Sequence, residues 1–373
     1  MSERSVVLHA VGDIMIGDHP LNAGRGAHST FRSRPADFPF AHVASALGRA
    51  DLAFGNLECT LSEHGLRPGD HRSMQLRGQI SYAEALRHAG FSVLCVANNH
   101  SMQHGRQSFL ETVDALRNAG VAVCGLAGTS YRTVVPEVLE RNGLRIVFLG
   151  WSLRPRGYFA SDPLYAEGYT ADMLNDVRTA RERHDCVVVT LHWGDEFVER
   201  PSPAEVEFAH DVMDAGADLL IGHHPHVLRG CERYGRGWIL YSLGNFLGDM
   251  TWSDRMRDSV IAECRLTPDG VEDLKLVPVR IADDFRPTLL EGDAGAALVA
   301  RLNALSAEIG RMSSVEQVSE ESAAEYLLEA TRALADERRR SRLHFLKNIR
   351  RLPPGLLVQQ LSTFVRNRIA EHG

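Results

Sequence analysis

The chain has 373 residues, room for one large catalytic domain with an appendage or for two medium domains. A composition of 44% hydrophobic and 24% charged residues, with 32 Gly and 15 Pro, excludes intrinsic disorder, collagen and low-complexity classes. The net charge of −7, from 41 Lys+Arg against 48 Asp+Glu, shows no footprint of a general nucleic-acid binder, and none is expected as a partner. No stretch reaches the ~18 uninterrupted apolar residues of a membrane helix, and the N-terminus has no signal-peptide core. The chain therefore reads as soluble and cytoplasmic. Its six cysteines, Cys59, Cys95, Cys124, Cys186, Cys231 and Cys264, form no close pair in sequence, which argues against a zinc ribbon, a redox motif or a disulfide framework.

In chain order, short apolar runs of strand character fall at Val6 to Val11, Asp51 to Phe54, Ser92 to Ala97, Val121 to Cys124, Arg145 to Leu149, Cys186 to Leu191, Asp218 to Ile221 and Trp238 to Leu243. Three amphipathic segments end alike before a strand, in LRHAG, LRNAG and MDAGA. There a glycine supplies the left-handed cap of a helix. Repeated helix, glycine, strand units predict an α/β sheet covered by helices. Asn142-Gly143 predicts a hairpin within Thr133 to Leu149, and Pro268-Asp269-Gly270 predicts an antiparallel pair over Ser259 to Val279. After Asp284 the pattern becomes helical and Ala, Leu, Glu and Arg rich, so the chain divides into a body over 1–286 and a helical extension over 287–373.

The residues just past each strand carry the chemistry. Polar clusters stand at Gly12-Asp13, Asn56-Leu57-Glu58, Asn98-Asn99-His100, His192-Trp193-Gly194-Asp195-Glu196, His223-His224-Pro225-His226 and Gly244-Asn245. Ligands of α/β sheets bind at the carboxyl ends of strands, so these clusters point to one shared site. Carboxylates (Asp13, Glu58), an amide (Asn99) and imidazoles (His192, His224, His226) make a mixed oxygen and nitrogen set of the kind hard and borderline divalent metals take. These candidates exceed what one four-coordinate ion requires. They suit two adjacent ions (Mn, Zn or Fe) sharing a carboxylate, an arrangement that activates water for attack on phosphorus.

GDIMIGD, GNLECTLSE, VANNHSMQHG, LHWGDEF, GADLLIGHHPHVLRG and YSLGNF, in this order over about residues 5 to 285, resemble the CapA family of poly-γ-glutamate and capsule biosynthesis proteins. The resemblance implies a calcineurin-like metallophosphoesterase sandwich, two mixed β-sheets face to face with helices outside, followed here by the C-terminal helical extension. It implies metal ligation by Asp13, Glu58 (the bridging position), Asn99, His192, His224 and His226, and proton donation to a leaving oxygen by His100. It leaves His223 outside the ligand set. Arg77 matches a basic family position in a polar stretch from Ser62 and, with Glu196 and Asn245, is expected to contact substrate or orient ligands.

The chain departs from ordinary phosphoesterases of this fold at Asp13-Ile14-Met15, where Met15 replaces a second imidazole, and at Glu58, where an aspartate is usual. The expected activity is that of a metal-dependent hydrolase, in which hydroxide generated at the metals attacks a phosphoester, phosphoanhydride or acyl-phosphate of an anionic small molecule or peptide. The alternative is a metal-containing accessory role in making poly-γ-glutamate or a related amide-linked product. The candidates also have plainer readings: Asp13, Asn98, Asn99 and Asn245 as turn residues, Glu58 as a helix cap, His100 as a loop fastener, Arg77 as solvated surface. From Arg332 to Gly373 ten basic residues face three acidic ones, so this tail carries +7 and residues 1–331 carry −14. Such basic helices present a solvated face or contact a partner or membrane surface.

Overall fold

The computed structural model describes residues 4–313 and 320–359, apart from 157, 160, 169 and 353. Every run singled out above carries a strand, and the strands form two mixed sheets packed face to face. One sheet has the order Pro287–Leu289, Gly270–Ile281, Asp258–Thr267, Val6–Ile14, Leu52–Leu57, Val93–Cys95, Ala122–Cys124, with Asn245–Leu247 paired in parallel beside the end of Val6–Ile14. The other runs Cys231–Tyr234, Gly237–Leu240, Leu219–His223, Cys186–His192, Leu144–Ser152, Glu137–Arg141. This is the metallophosphoesterase-type sandwich that the resemblance implies.

The pleat sorts the side chains. In Leu144–Ser152 and Cys186–His192, Ile146, Phe148 and Val188 join the main core between the sheets. Their neighbours Val147, Leu149, Val187 and Val189 enter a separate cluster with Met173, Val177, Val206, Ala209 and Val212. Those residues lie on the helices Thr170–Arg181 and Pro203–Asp214. Successive residues of a strand face opposite ways, and with both faces covered the sequence reads as a continuous apolar run. Phe54 of one sheet stacks on Phe148 of the other, centroids 6.0 Å apart. The helix Pro203–Asp214 starts with a reciprocal Ser202/Glu205 capping box and Pro203 in its first turn, which explains its sharp beginning.

The punctuation acts as its chemistry requires. Gly90, Gly120 and Gly216 close their helices at φ 110°, 80° and 118°. Asn142 and Gly143 both turn at positive φ and join Glu137–Arg141 to Leu144–Ser152 in antiparallel register. Three short pieces carried too little periodicity to be read: Cys231–Tyr234, Asn245–Leu247 and the two-residue ladder Thr60–Leu61 with Arg77–Gly78.

Pro287–Leu289 still pairs with the long strand Gly270–Ile281, so the sheet continues past residue 286 and the helical region starts at Gly292. Its first helix, Gly292–Ser313, places Leu298 and Leu302 in the main core and Ile309 in the other cluster. Arg301 on this helix pairs with Asp258 and Glu199. The second helix, Glu320–Asn348, is tied to the body through Tyr326 to Asp195 and His344 to Asn22. Residues 360–373, with Arg366 and Arg368 of the basic tail, lie outside the described residues. Among the described residues no helix is long and apolar enough to cross a membrane.

Candidate metal centre

Register brings the post-strand residues together. Asp13 pairs with Asn56 on one side and Asn245 on the other, while in the facing sheet Ser152, His192 and His223 stand level across three parallel strands. Gly12 makes the approach possible: a Cβ there would lie 2.0 Å from Gly244 O. His224 and His226 both sit in the left-handed region, at φ 95° and 58°, where non-glycine residues are costly and which functional loops are known to tolerate.

His192 Nε2 is the hub of one group, 2.8 Å from Asn99 Oδ1, 3.1 Å from His224 Nδ1 and 3.4 Å from Glu58 Oε1. Ligand atoms bound tetrahedrally at 2.0–2.2 Å stand about 3.4 Å apart, so the Glu58 contact already has that spacing and the two shorter, hydrogen-bonded ones would open slightly around an ion. Glu58 also faces His226 Nε2 and His100 Nε2, each at 3.9 Å. Asp13, Glu58 and His192 offer a further convergent set, as do Glu58, His224 and His226. Glu58 is fully buried, yet neither of its carboxylate oxygens has a hydrogen-bond partner, and His224 Nε2 is buried without one too. A buried carboxylate without donors costs several kcal/mol. Divalent cations fit this donor set, and they would relieve that cost.

The charges follow from this crowding. Burial pushes the Glu58 carboxyl well above its usual range, and the charges of Asp13 and then Glu196 push the same way. Burial would raise Asp13 as well, but the hydrogen bond and charge of His223, with His226 and Asn56, bring it below the ordinary range. Burial, with the neighbouring imidazoles adding to it, holds His192 and His224 well below theirs. Neutral imidazole is the form that binds metal. Asn245 Oδ1 lies 2.9 Å from His226 Nδ1; a proton on that nitrogen leaves Nε2 bare toward Glu58.

The structure thus assembles Asp13, Glu58, Asn99, His192, His224 and His226, with His100 beside them. His100 Nδ1 lies 2.8 Å from Gln103 Oε1 and its Nε2 points to Glu58, while burial depresses the ring to about 4. Glu196 is half-buried and close enough for its charge to act on Glu58 and Tyr158. Asn245 and Arg77 both make internal hydrogen bonds. Asn245 is fully buried and spends its amide on the carbonyls of His226 and Met256, so it positions His226. Arg77 is turned inward, donating to the carbonyls of Ser62 and His64 and fastening the loop it was expected to hang from. Met15 is buried, and a Cβ at Gly248 would touch its Cε at 2.9 Å; the position of the missing imidazole is filled by packing.

Several members of this constellation were not singled out from sequence. Asn56 donates to Asp13 Oδ1 at 2.8 Å and is itself held by Asn98, whose amide also bonds Leu57 O. His223 lies 3.1 Å from Asp13 Oδ1. Tyr158 packs on His100, centroids 5.0 Å apart, and Arg154 stands close enough for its charge to act on His224. Asn56 and His223 had a signal, since they adjoin the strand-end clusters. Arg154 and Tyr158 follow the strand Leu144–Ser152, whose end shows no polar cluster.

The family model for bacterial capsule synthesis proteins, PGA_cap, matches residues 7–250. The chain is 31% identical over 294 residues to the capsule biosynthesis protein CapA of Bacillus anthracis, covering 75% of this chain and 68% of that one. It is 30% identical over 276 residues to the PGA biosynthesis protein CapA of Bacillus subtilis, covering 73% and 70%. Among solved structures, the 5'-nucleotidase of Candida albicans is similar with a TM-score of 0.44 and 10% identity, over 83% of this chain and 59% of that one. With the family model matching over half of the chain and two CapA relatives at 30% identity or more, the chain belongs to the CapA family of bacterial capsule and poly-γ-glutamate synthesis proteins.

Proposed function

We propose that this protein is a metal-dependent hydrolase acting on a phosphoester, phosphoanhydride or acyl-phosphate. The observation that carries the reading is Glu58: a fully buried carboxylate that no N–H or O–H of its neighbours serves, at the meeting point of His100, His192 and His226 and beside the second carboxylate Asp13. Asp13, Glu58, Asn99, His192, His224 and His226 would hold two divalent ions, Mn, Zn or Fe. Bound there, such ions supply Lewis-acid polarisation of the substrate oxygen and acidify water.

The protein's own groups do the rest. Asn245 and Asn56 orient His226 and Asp13, the Asn98 amide fixes the loop bearing Asn99 and His100, and the buried surroundings keep competing water out. His100 presents Nε2, the nitrogen from which a proton would pass to the leaving oxygen. Its ring is neutral at pH 7 on its own, since burial depresses it; an anionic substrate alongside favours the protonated form. Glu196 lines the approach, while Arg77 serves the loop.

The test is metal content of the purified chain together with release from aryl phosphates, nucleotides and acetyl phosphate under manganese, zinc or iron. Turnover no higher than that of His192→Ala under every metal would sink the hydrolase reading. Buried Met15 favours a second reading, a metal-containing accessory role in making poly-γ-glutamate or a related amide-linked product, because one first-site imidazole is absent. Loss of such a product on gene deletion, without detectable hydrolysis, would select it.

A further inference from the structure

The helical region lies outside residues 7–250 matched by the family model, yet it reaches the loops around the ligand set. Tyr326 donates to Asp195 of the loop bearing Glu196, Glu329 pairs with Arg200 at 2.9 Å, and His344 meets Asn22 and Arg25 of the loop that follows Asp13. From the ligand set outward a row of rings leads to that helix. His19 stands close enough to His226 and His100 to feel their charges. Its ring packs on Trp252 at 5.1 Å, and Trp252 packs on His344 at 5.5 Å.

At the end of this row is Arg25. It is half-buried, and its Nη2 is spent on neutral groups: Asn22 Oδ1 at 2.6 Å, Leu21 O at 3.5 Å and His344 Nε2 at 3.3 Å. Its Nε is buried with no acceptor. No carboxylate among the described residues forms an ion pair with it. The nearby Asp18 carboxylate accepts instead from Gly24 N, Ser29 N and Ser29 Oγ, and that of Asp249 accepts from His19 N. Arg351, at the end of the helical region, adds like charge beside Arg25, and Lys347 does so beside His344. A half-buried guanidinium normally takes a carboxylate or phosphate in its fork. Here the carboxylates of Asp249 and Asp18 act on it from nearby, Asp249 more strongly than Arg351, but neither enters its fork, because both are spent on other donors.

We propose that Arg25, framed by His344 and Arg351 of the helical extension, binds a second anionic group of an elongated substrate whose reacting group sits at the ligand set. The proposal rests on the hydrolase reading for where the reacting group lies, and it makes the extension part of the substrate site. The ligand chemistry is a carboxylate or a phosphate, and both are tested. Full-length, chelator-treated protein is titrated calorimetrically, separately with glutarate and inorganic phosphate, in wild type, Arg25→Met, Arg351→Glu and His192→Ala. Saturable binding of at least one anion is expected, weakened about tenfold or more by Arg25→Met and more modestly by Arg351→Glu. His192→Ala, which impairs the metal set, should keep it within about twofold. A preference for glutarate or phosphate names the source of the anion. No binding by wild type, equal binding by both arginine variants, or loss confined to His192→Ala overturns the proposal. Should Arg25→Met fail to fold, exposed Arg351→Glu decides alone, an unchanged affinity counting against it. Metal content and turnover, measured separately, judge the hydrolase reading independently.

Discussion

Replacing Glu58 with Gln tests the metal centre most directly, because it keeps the shape of the side chain and removes the carboxylate that a cation would take, leaving a neutral group like the one burial favours when no cation is bound. Loss even of a group that only orients a metal ligand costs 10–100-fold in affinity, so Glu58→Gln should weaken binding by about 100-fold or more. An ion that binds only the folded state adds RT ln(1 + [L]/Kd), about 2.7 kcal/mol at 100 Kd. For a chain of this size that is roughly 1.3 °C per kcal/mol, hence a rise of about 3.5 °C in Tm for wild type. At the same ion concentration a variant with about 100-fold weaker binding gains only about 0.4 kcal/mol, or about 0.5 °C. Metal-free Glu58→Gln should be about as stable as metal-free wild type, since burial and the Asp13 charge already favour the neutral form of Glu58 there. Thermal unfolding of chelator-treated protein, repeated with manganese and zinc and paired with metal content per chain, reads all three quantities. Equal metal content and an equal Tm rise in wild type and variant would refute the reasoning.

Three other outcomes rest on named contacts. Asp249 is pushed up to about 8 by burial and then by the charge of Asp18, so between pH 4 and 8 the folded metal-free protein holds a proton that the unfolded chain has lost. Its stability therefore falls as pH rises through that window, and Asp249→Asn should be increasingly stabilising toward pH 8, with a ceiling of about 5 kcal/mol; urea midpoints at pH 5 and 8 that move in parallel for both proteins would contradict this. Buried Arg229 binds Val198 O at 2.8 Å and Glu205 at 2.6 Å, so Arg229→Met should cost about 3–5 kcal/mol in denaturant unfolding, and a loss below about 1 kcal/mol would show that Glu205 finds another partner. Gly12→Ala places a methyl 2.0 Å from Gly244 O, a backbone atom that cannot swing aside; a loss of about 3 kcal/mol or more, with reduced metal content, is expected, and a variant of wild-type stability and metal content would count against the close approach.

Much of this protein was legible in its sequence because its signals are local or follow a general rule of topology. A glycine after a helix, an Asn-Gly turn and runs apolar on both faces identify elements without knowledge of their neighbours, and a parallel strand exposes its carboxyl end to ligand. Asp13, Glu58, Asn99, His192, His224 and His226 each stand just past such an end, so the strand alone sets their position. Where a loop side chain points is decided by partners distant in sequence. Arg77 matches a family position for an anion contact, yet the carbonyls of Ser62 and His64 take its guanidinium inward. Arg25 has no motif to mark it, and it stands out only because a helix more than 300 residues later brings His344 against it. For Asn245 the sequence leaves open substrate contact or ligand orientation, and parallel pairing beside Asp13 buries it and turns it to His226. Local pattern is enough to set residues at the ends of the strands. Which polar atoms near them go unmatched follows from the assembled fold, because hydrogen-bond satisfaction depends on neighbours from every part of the chain, as the oxygens of Glu58 and the Nε of Arg25 show.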